Sequence, residues 1–567
     1  MPLRKIREIL IPLAPFKKGE AGTSMLLSFL AFIAVCFSSC RQTSDVDLII
    51  FNAKIYTVDS AFSTAEAIAV KDGKIEGVGS SNDITAKYSA KEKINANGQI
   101  IYPGFIDAHA HFYRYGLGLQ TADLTGTTSW DDILSKLQSF TQQNPDGWLI
   151  GRGWDQNDWT VKEFPSKEKL DSLFPDRPVI LTRVDGHASI ANQKALDIAG
   201  VKPGMQLTGG TVETKNGKLT GILVDNAEGV VFSKIPAPSV AQIKTALGRA
   251  QQNCFAVGLT TVDDCGLDYE EVMIMDSFQK KGELKMRIYA MLSDTKKNYD
   301  FLFDKGKIKT DHMNVRSFKV YADGALGSRG ACLLQPYNDK PGWSGFLLSS
   351  QQHFDSVANI ISSKGFQMCT HAIGDSGNRA ILNIYAKYLK GKNDMRWRIE
   401  HAQVVNKNDF DLFGQYNIIP SVQPTHATSD MYWAGDRLGK EREKGAYAFD
   451  QLMKQNNWIP LGTDFPVEDI SPFKTFYAAV FRQDAKEFPE GGYQMGNALS
   501  RENALRGMTI WAAKSNFEEN EKGSLEKGKF ADFIILDKDL MIVNQKEVLL
   551  TKVLATYING QKVFSKN

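Results

Sequence analysis

Four of the eight histidines and one aspartate lie in short apolar runs of this 567-residue chain. The pair His109 and His111 stands in "YPGFIDAHAHF", followed by His371 in "FQMCTHAIGD", His401 in "RWRIEHAQ" and Asp464 in "WIPLGTDFPV". An apolar run that ends in His or Asp is typical of a buried strand that delivers a ligand at its carboxyl end. Several such strands predict a metal site at the mouth of a β/α barrel.

The spacing of the histidine pair supports this hypothesis. Side chains alternate between the faces of a strand, so His109 and His111 point to the same side. Neutral imidazoles at that spacing suit zinc or a similar divalent ion. Each residue alone has a simpler interpretation: a chance pair on a polar strand, a satisfied buried histidine at 371 or 401, or a helix cap at 464. Their shared context favours the metal site.

Strand-like and helical runs alternate through the middle of the chain. Helices are predicted at 239–257, 353–364 and 376–389, between runs such as "GLTTVDDC", "SFKVYADG" and "WIPLGTD". This alternation predicts an α/β fold with a parallel sheet, either a closed barrel or an open doubly wound sheet. Ligands at so many strand ends favour the barrel. The chain has no GxGxxG or P-loop motif, which argues against a nucleotide-binding open sheet.

The two ends of the chain share a different pattern of short alternating strands and Gly turns. We predict one composite β-sandwich from residues 46–102 and 516–567, flanking a barrel at 103–515; two independent terminal modules are the alternative. The stretch from His111 to Lys319 exceeds three strand–helix units by on the order of 100 residues. We therefore expect an insertion at about 120–235 near the barrel mouth, where it would influence substrate choice.

Composition narrows the class of protein. Hydrophobic residues make up 43% and charged residues 23% of the chain, and its formal net charge is +2. These values are typical of soluble globular domains, and without a Lys/Arg-rich run no nucleic-acid partner is expected. The cysteines after residue 40 have no CxxC spacing, so a disulfide framework is not expected, and Cys254 and Cys369 are predicted in the core.

Residues 1–40 resemble an export signal. Lys17 and Lys18 precede an apolar stretch from Met25 to Phe37, which is short for a membrane span and ends in "FSSC" at Cys40. This order is similar to a bacterial lipoprotein signal, which would leave Cys40 as a lipidated N-terminus; an ordinary signal peptide is the alternative. Both predict an exported protein of the periplasm or cell envelope, and the first predicts tethering to a membrane surface. Translation from Met25 is a further alternative.

From about residue 47 to the C-terminus, the chain resembles the metal-dependent amidohydrolase superfamily, most of all the branch that includes N-substituted formamide deformylase. The resemblance rests on "GFIDAHAH", "KVYADGALGSRGA", "THAIGD", "RIEHAQ", "SVQPTH", "LGTDFPV" and "GSLEKGKFADFIILD". It implies a (β/α)8 TIM barrel with a composite β-sandwich. It also implies metal ligands after strands 1, 5, 6 and 8, namely His109, His111, His371, His401 and Asp464.

The resemblance implies roles for further residues. Lys319 matches the strand-4 position, which can hold a carboxylated lysine between two metals; a plain charged residue paired with Asp323 is the alternative. His426 would bind the substrate carbonyl, or be a loop histidine. Asp107 and Glu400 are candidates for fixing imidazole orientation.

Three more residues are candidates for contact with the substrate, each with a structural alternative. His187 and Trp154 would line the pocket from the insertion, or simply pack there. Arg329 would meet a substrate anion, or form a surface ion pair.

These residues together predict a hydrolase that cleaves a non-peptide carbon–nitrogen bond, an amide, with one or two divalent ions such as zinc. Asp464 would move the proton between water and the leaving amine. The alternatives are the same metal site acting on a cyclic amide, a dipeptide-like substrate or an ester, or an exported binding protein without catalysis. No ligand position is visibly replaced, which argues against the binding protein. The sequence indicates neither the substrate nor the oligomeric state.

Overall fold

The computed structural model describes residues 43–143 and 146–566, so the predicted signal segment with Cys40 lies outside the described residues. Strands β1 to β24 span, in chain order, Ser44–Phe51, Lys54–Tyr56, Thr64–Ala65, Ala67–Lys71, Lys74–Gly79, Tyr88–Asn95, Ile100–Pro103, Phe105–Ala110, Ala122–Asp123, Leu149–Trp154, Val179–Arg183, Ala188–Ala191, Gly210–Lys215, Lys218–Asp225, Leu259–Leu267, Arg287–Ser293, Ile308–Lys309, Met313–Tyr321, Gln367–Ala372, Arg398–His401, Ile419–Ser421, Phe533–Leu536, Val553–Ile558 and Gln561–Ser565.

The α-helices span Ser81–Lys87, Phe112–Gly118, Trp130–Gln143, Glu168–Leu173, Gln193–Ala199, Glu228–Phe232, Val240–Ala256, Tyr269–Lys280, Lys296–Lys305, Gln351–Ser363, Asp375–Leu389, Phe410–Gln415, Pro424–Asp430, Ala434–Leu438, Lys440–Glu443, Phe449–Asn456, Pro472–Phe481, Arg501–Gly507, Ile510–Ser515 and Gln545–Val548. Short 3-10 helices span Gln156–Asp158 and Met495–Asn497. None of the helices among the described residues has the length and apolar character needed to cross a bilayer.

A nearly closed parallel sheet occupies the centre of the molecule. Its strands follow the order β8, β15, β16, β18, β19, β20 and β21, and each neighbouring pair is parallel. The segment 459–464 fills the gap: Leu461 bridges Val422, and its C=O accepts the Ala108 N–H at 3.1 Å. The predicted parallel barrel is therefore confirmed as a nearly closed sheet.

Helices around this sheet follow the predicted periodicity. The helix Val240–Ala256 starts at a capping box formed by Ser239 and Gln242, in which each side chain pairs with the other residue's backbone N–H. Its buried residues recur every three or four positions from Ile243 to Cys254, so one face packs against the sheet. Cys254 and Cys369 are buried, as expected.

Strands from both ends of the chain meet in one six-stranded sheet of order β24, β23, β22, β7, β2 and β3. The N-terminal strand β7 pairs antiparallel with the C-terminal strand β22. A second sheet, of order β5, β4, β1 and β6, shares an apolar core with the first that includes Ile50, Ile101 and Phe533. Arg287 of β16 forms a buried ion pair with Asp532, which attaches this region to the barrel.

A third unit lies between barrel strands β8 and β15. Its six strands follow the order β13, β14, β12, β11, β10 and β9. Two apolar clusters cover its faces; Trp154 belongs to one and Ile150 packs against the other. The ring of His187, which follows β11, lies 5.1 Å from the ring of His371 on barrel strand β19. This unit, the insertion, therefore reaches the carboxyl ends of the barrel strands.

Candidate metal centre

Three buried side chains converge at the carboxyl ends of the barrel strands. His109 comes from β8, His401 ends β20, and Asp464 ends the closing segment; their possible ligand atoms all lie within 4.8 Å of one another. His401 and Asp464 have φ values of +72° and +63°. Residues with a Cβ seldom adopt such angles, and their occurrence at a strand end is typical of a functional site. These three residues could hold a metal ion.

Each imidazole nearest the centre is oriented through its Nδ1 atom. The distances from Nδ1 to the acceptor oxygen are 2.5 Å from His109 to Glu400 Oε2, 2.9 Å from His111 to the Cys265 C=O, and 2.6 Å from His401 to Gln423 Oε1. An Nδ1–H that donates to an acceptor leaves the Nε2 lone pair free. The arrangement thus favours the tautomer in which Nε2 can bind a cation.

Asp464 faces several of these Nε2 atoms. Its Oδ1 lies 3.2 Å from His111 Nε2 and 3.7 Å from His109 Nε2, and its Oδ2 lies 3.6 Å from His426 Nε2. Burial alone would raise the pKa of the Asp464 carboxyl, but the surrounding imidazoles hold this pKa well below its usual range. Asp464 is therefore ionised at neutral pH.

Lys319 points into the same cluster from β18. Its side chain is buried, and Nζ lies 3.0 Å from His109 Nε2. The alternative pairing with Asp323 is wrong, because the Asp323 carboxylate accepts backbone N–H groups at 2.8 to 2.9 Å from Cys332, Ile373 and Gly374. Lys319 thus belongs to the candidate centre.

His371 borders the cluster, with its ring 4.6 Å from that of His401. Its Nε2 is buried and has no hydrogen-bond partner among the described residues, as is also true of His426 Nε2 and Asp464 Oδ1. His187 packs on the outer side of His371, and its Nδ1 lies 2.6 Å from Asp225 Oδ1. Burial opposes protonation of His187, but Asp225 raises its pKa to about 9.

Glu400 and Asp107 have different positions relative to His109. Glu400 contacts the ring; burial opposes its ionisation, but Arg398 and His109 lower its pKa to about 2. Asp107 instead accepts the Thr463 N–H at 2.9 Å, the Thr463 hydroxyl at 2.6 Å and the His109 N–H at 3.2 Å. The orienting role predicted for Asp107 is therefore corrected: it fixes the backbone around the site, not an imidazole ring.

Trp154 and Arg329 lie away from the cluster. Trp154 is fully buried in the insertion's own core, where its indole N–H donates to the Leu181 C=O at 2.8 Å. Arg329 forms a two-pronged ion pair with Asp339, at 2.9 and 3.2 Å. The structure therefore gives Trp154 a packing role and engages the Arg329 guanidinium elsewhere, in place of the substrate contacts predicted for both.

Two residues behind the ligands, Gln423 and Arg398, were not predicted from the sequence. Gln423 lies within the motif "SVQPTH", and its position at the end of β21 was the available signal. Arg398 is fully buried and contacts Asp263 at 2.8 Å and Ser421 at 2.9 Å, so it joins barrel strands behind Glu400. Arg398 lies three residues before His401 in "RWRIEH", and the sequence alone indicates only an ordinary charged residue on a strand.

Comparison with known proteins agrees with this geometry. The sequence profile of the amidohydrolase family matches residues 92–564. A metal-dependent hydrolase from Pyrococcus horikoshii, uncharacterised and solved as a crystal structure, superposes with a TM-score of 0.72 at 26% identity, covering 88% of this chain and 99% of that one.

Two curated relatives are 32% identical to this chain: the protein LONG AFTER FAR-RED 3 of Arabidopsis thaliana and the putative amidohydrolase YtcJ of Bacillus subtilis. The first alignment covers 91% of both chains, and the second covers 90% of this chain and 98% of YtcJ. The N-substituted formamide deformylase of Arthrobacter pascens is 24% identical over 91% of this chain and 97% of its own, so the branch suggested by the motifs is a distant match. The chain belongs to the amidohydrolase family and is a hydrolase that acts on carbon–nitrogen bonds.

Proposed function

We propose that this protein hydrolyses a non-peptide amide bond in a small molecule, with water as the nucleophile and a divalent metal as cofactor. The observation that carries the proposal is the convergence of His109, His401 and Asp464 on one point, with their possible ligand atoms within 4.8 Å of one another. The match to the amidohydrolase family supports the same chemistry.

The donor set fits a metal ion. Buried polar atoms without partners cost on the order of 1–3 kcal/mol each, so His371 Nε2 and Asp464 Oδ1 favour a ligand that would satisfy both. Imidazole nitrogen with carboxylate oxygen suits zinc, which is our choice among divalent ions. The residues that would hold it are His109, His111, His371, His401 and Asp464.

Lys319 bears on the number of metal ions. An ammonium group 3.0 Å from His109 Nε2 occupies part of the space that a cation would need. Carboxylation would turn Lys319 into an anionic ligand, and we propose that modification for a two-metal form. Without it, the ammonium group would have to move away from His109 before the imidazoles and Asp464 could hold one ion.

When bound, the metal ion would supply Lewis acidity, lowering the pKa of a water molecule and polarising the scissile carbonyl. The ionised Asp464 accepts a proton from the attacking water and returns it to the nitrogen of the leaving amine. Glu400 and Gln423 hold the rings of His109 and His401 in one tautomer throughout. His426, with a free Nε2 atom 3.6 Å from Asp464, donates to the carbonyl oxygen as negative charge develops there.

Formamides are the first substrates to test, because a relative that is 24% identical is named N-substituted formamide deformylase. The protein would be stripped of metal with a chelator, reloaded with zinc, and assayed on N-substituted formamides and acetamides. We expect amine release only from the loaded protein. No release from any amide after reloading, or equal rates with and without metal, would refute the proposal.

We also propose that the protein is exported and tethered to a membrane by lipid on Cys40. The support is the basic, apolar and "FSSC" order of residues 17–40. Metabolic labelling with a radioactive fatty acid should label the wild-type chain and leave Cys40→Ser unlabelled. Label in both, or in neither, would contradict the tether.

A further inference from the structure

The mouth of the candidate centre carries two arginines that form no direct ion pair with a described carboxylate. Arg152 lies on β10 of the insertion, and Arg114 lies on the helix that begins directly after His111. Among the described Asp and Glu side chains, none has an oxygen within 4.0 Å of either guanidinium. Each arginine donates to a backbone oxygen instead: Arg152 to Val184 at 2.8 Å and Arg114 to Gly266 at 3.3 Å.

The guanidinium of Arg152 has hydrogen-bonding capacity left over. Its Nε is buried and has no partner among the described residues. The acids closest along this part of the insertion are already engaged: Asp155 and Asp185 with Arg183, and Asp225 with His187. A partly buried permanent cation with free donors is a suitable receptor for an anion.

Two observations place Arg152 beside the catalytic cluster. A Cβ atom on Gly186 would lie 3.3 Å from an Nη atom of Arg152, and the next residue, His187, packs on His371. Burial lowers the pKa of Arg152, and charges on Asp185, Arg114 and Asp464 also act on that pKa. Arg152 is thus within electrostatic reach of both the second arginine and the catalytic carboxylate.

We propose that Arg152, assisted by Arg114, binds a carboxylate on the substrate, so that the enzyme prefers amides whose amine half carries an acid group, such as N-acyl amino acids. The inference rests on the proposed amide hydrolysis and adds a substrate class to it. The insertion would supply this specificity, while the barrel supplies the chemistry.

The test compares matched substrates that differ in one charge. N-formyl-, N-acetyl- and N-benzoylglycine would each be assayed against the corresponding glycinamide, which has the same shape and no charge. The zinc-loaded wild type should show a higher kcat/KM for the carboxylates. Arg152→Gln should reduce this preference by on the order of 10- to 100-fold, mainly through KM, and Arg152→Lys should retain part of it.

Arg177→Gln is the matched control, because Arg177 also belongs to the insertion and donates only to backbone oxygens, of Asp146 and Gly147. It should keep the wild-type preference. The ligand-induced change in Tm detects binding even of substrates that are hydrolysed slowly. The carboxylates should raise the Tm of the wild type and of Arg177→Gln but not that of Arg152→Gln. The glycinamides should not raise the Tm of any of the three proteins.

The outcomes separate the two proposals. Hydrolysis of the neutral amides without a carboxylate preference, or a preference that survives in Arg152→Gln, would overturn the anion site and leave amide hydrolysis intact. If no amide is hydrolysed, the Tm shifts still decide the anion site: a shift by both members of a pair, or by neither, would overturn it.

Discussion

The substitution Glu400→Gln tests whether a buried carboxylate controls the candidate centre. Glu400 is fully buried, its Oε2 lies 2.5 Å from His109 Nδ1, and its Oε1 lies 2.7 Å from Arg398 Nε. Glutamine keeps the shape of the side chain and removes its charge. The carboxylate no longer enforces the Nδ1–H tautomer, so part of the His109 population would present Nε2–H to the centre instead of a lone pair.

The size of the effect follows from the contacts that remain. Loss of the partner behind a metal-bound histidine typically weakens metal affinity or activity 10- to 100-fold, equivalent to about 1.4–2.7 kcal/mol. Removing one partner of a buried ion pair costs roughly 3–5 kcal/mol of stability when the other charge is stranded. In Glu400→Gln, Arg398 would still form its ion pair with Asp263 at 2.8 Å. We therefore expect this variant to lose only about 1–3 kcal/mol of stability.

The assay measures zinc affinity by competition with a chromophoric chelator, alongside kcat/KM and Tm. Glu518→Gln is the control, because Glu518 is a buried glutamate that pairs with Lys309 at 2.8 Å and Lys522 at 2.9 Å, away from the centre. It should lower Tm and leave zinc affinity unchanged. Wild-type zinc affinity in Glu400→Gln, or an equal loss in Glu518→Gln, would refute the orienting role.

Three further substitutions test other parts of the structure. Asp464→Asn should lower kcat on the order of 10²- to 10⁴-fold in a steady-state assay, and a loss below tenfold would remove its role as proton carrier. Gln423→Met leaves the Nδ1–H of His401 without an acceptor, so zinc affinity in the same competition assay should fall about 10-fold or more; an unchanged affinity would contradict this. Asp532→Asn breaks the buried pair with Arg287 and should cost roughly 3 kcal/mol in urea unfolding at pH 7. Arg287 lowers the pKa of Asp532 despite burial, so this stabilisation is present above the ordinary value of 3.8 and is lost as pH falls below it; a difference between wild type and variant that stays constant down to pH 3 would contradict the pair.

The barrel and its ligands could be predicted because both produce recognisable local sequence patterns. A buried parallel strand reads as an apolar run, and a ligand at its carboxyl end interrupts that run with a charge or an imidazole. The run "WIPLGTD" was predicted as a strand, but in the structure Leu461 makes only a single bridge, because this segment closes the barrel with irregular pairing. The hydrogen-bond partner of each imidazole could not be predicted from the local sequence, because it lies on or next to another strand. Glu400 of β20, for example, contacts His109 of β8 across the inside of the barrel.

The insertion shows a second limit of sequence patterns. In "GRGWDQNDW", simple alternation places Arg152 and Trp154 on the same face of β10. The pairing of β10 with β11 shifts register between these residues, and Gly153 has a φ of +110°. This bulge turns Trp154 into the same core as Leu149 and leaves Arg152 with the opposite face. Trp154 was the residue predicted to line the pocket, but the bulge buries it, whereas Arg152 keeps the face that alternation shares with Ile150.

The candidate centre contains features that lower local stability. His401 and Asp464 hold left-handed backbone angles that cost on the order of 1–3 kcal/mol each, and buried atoms such as His371 Nε2 are left without partners. The Nδ1 atoms of His109, His111 and His401, by contrast, each pair with an oxygen fixed in or near the end of a barrel strand. Several atoms that face one another in the centre, His371 Nε2, His426 Nε2 and Asp464 Oδ1, are thus left with bonding capacity that a bound ion could use. The surrounding barrel is the rigid, well-packed part of the chain, which fits its strands supplying the ligands.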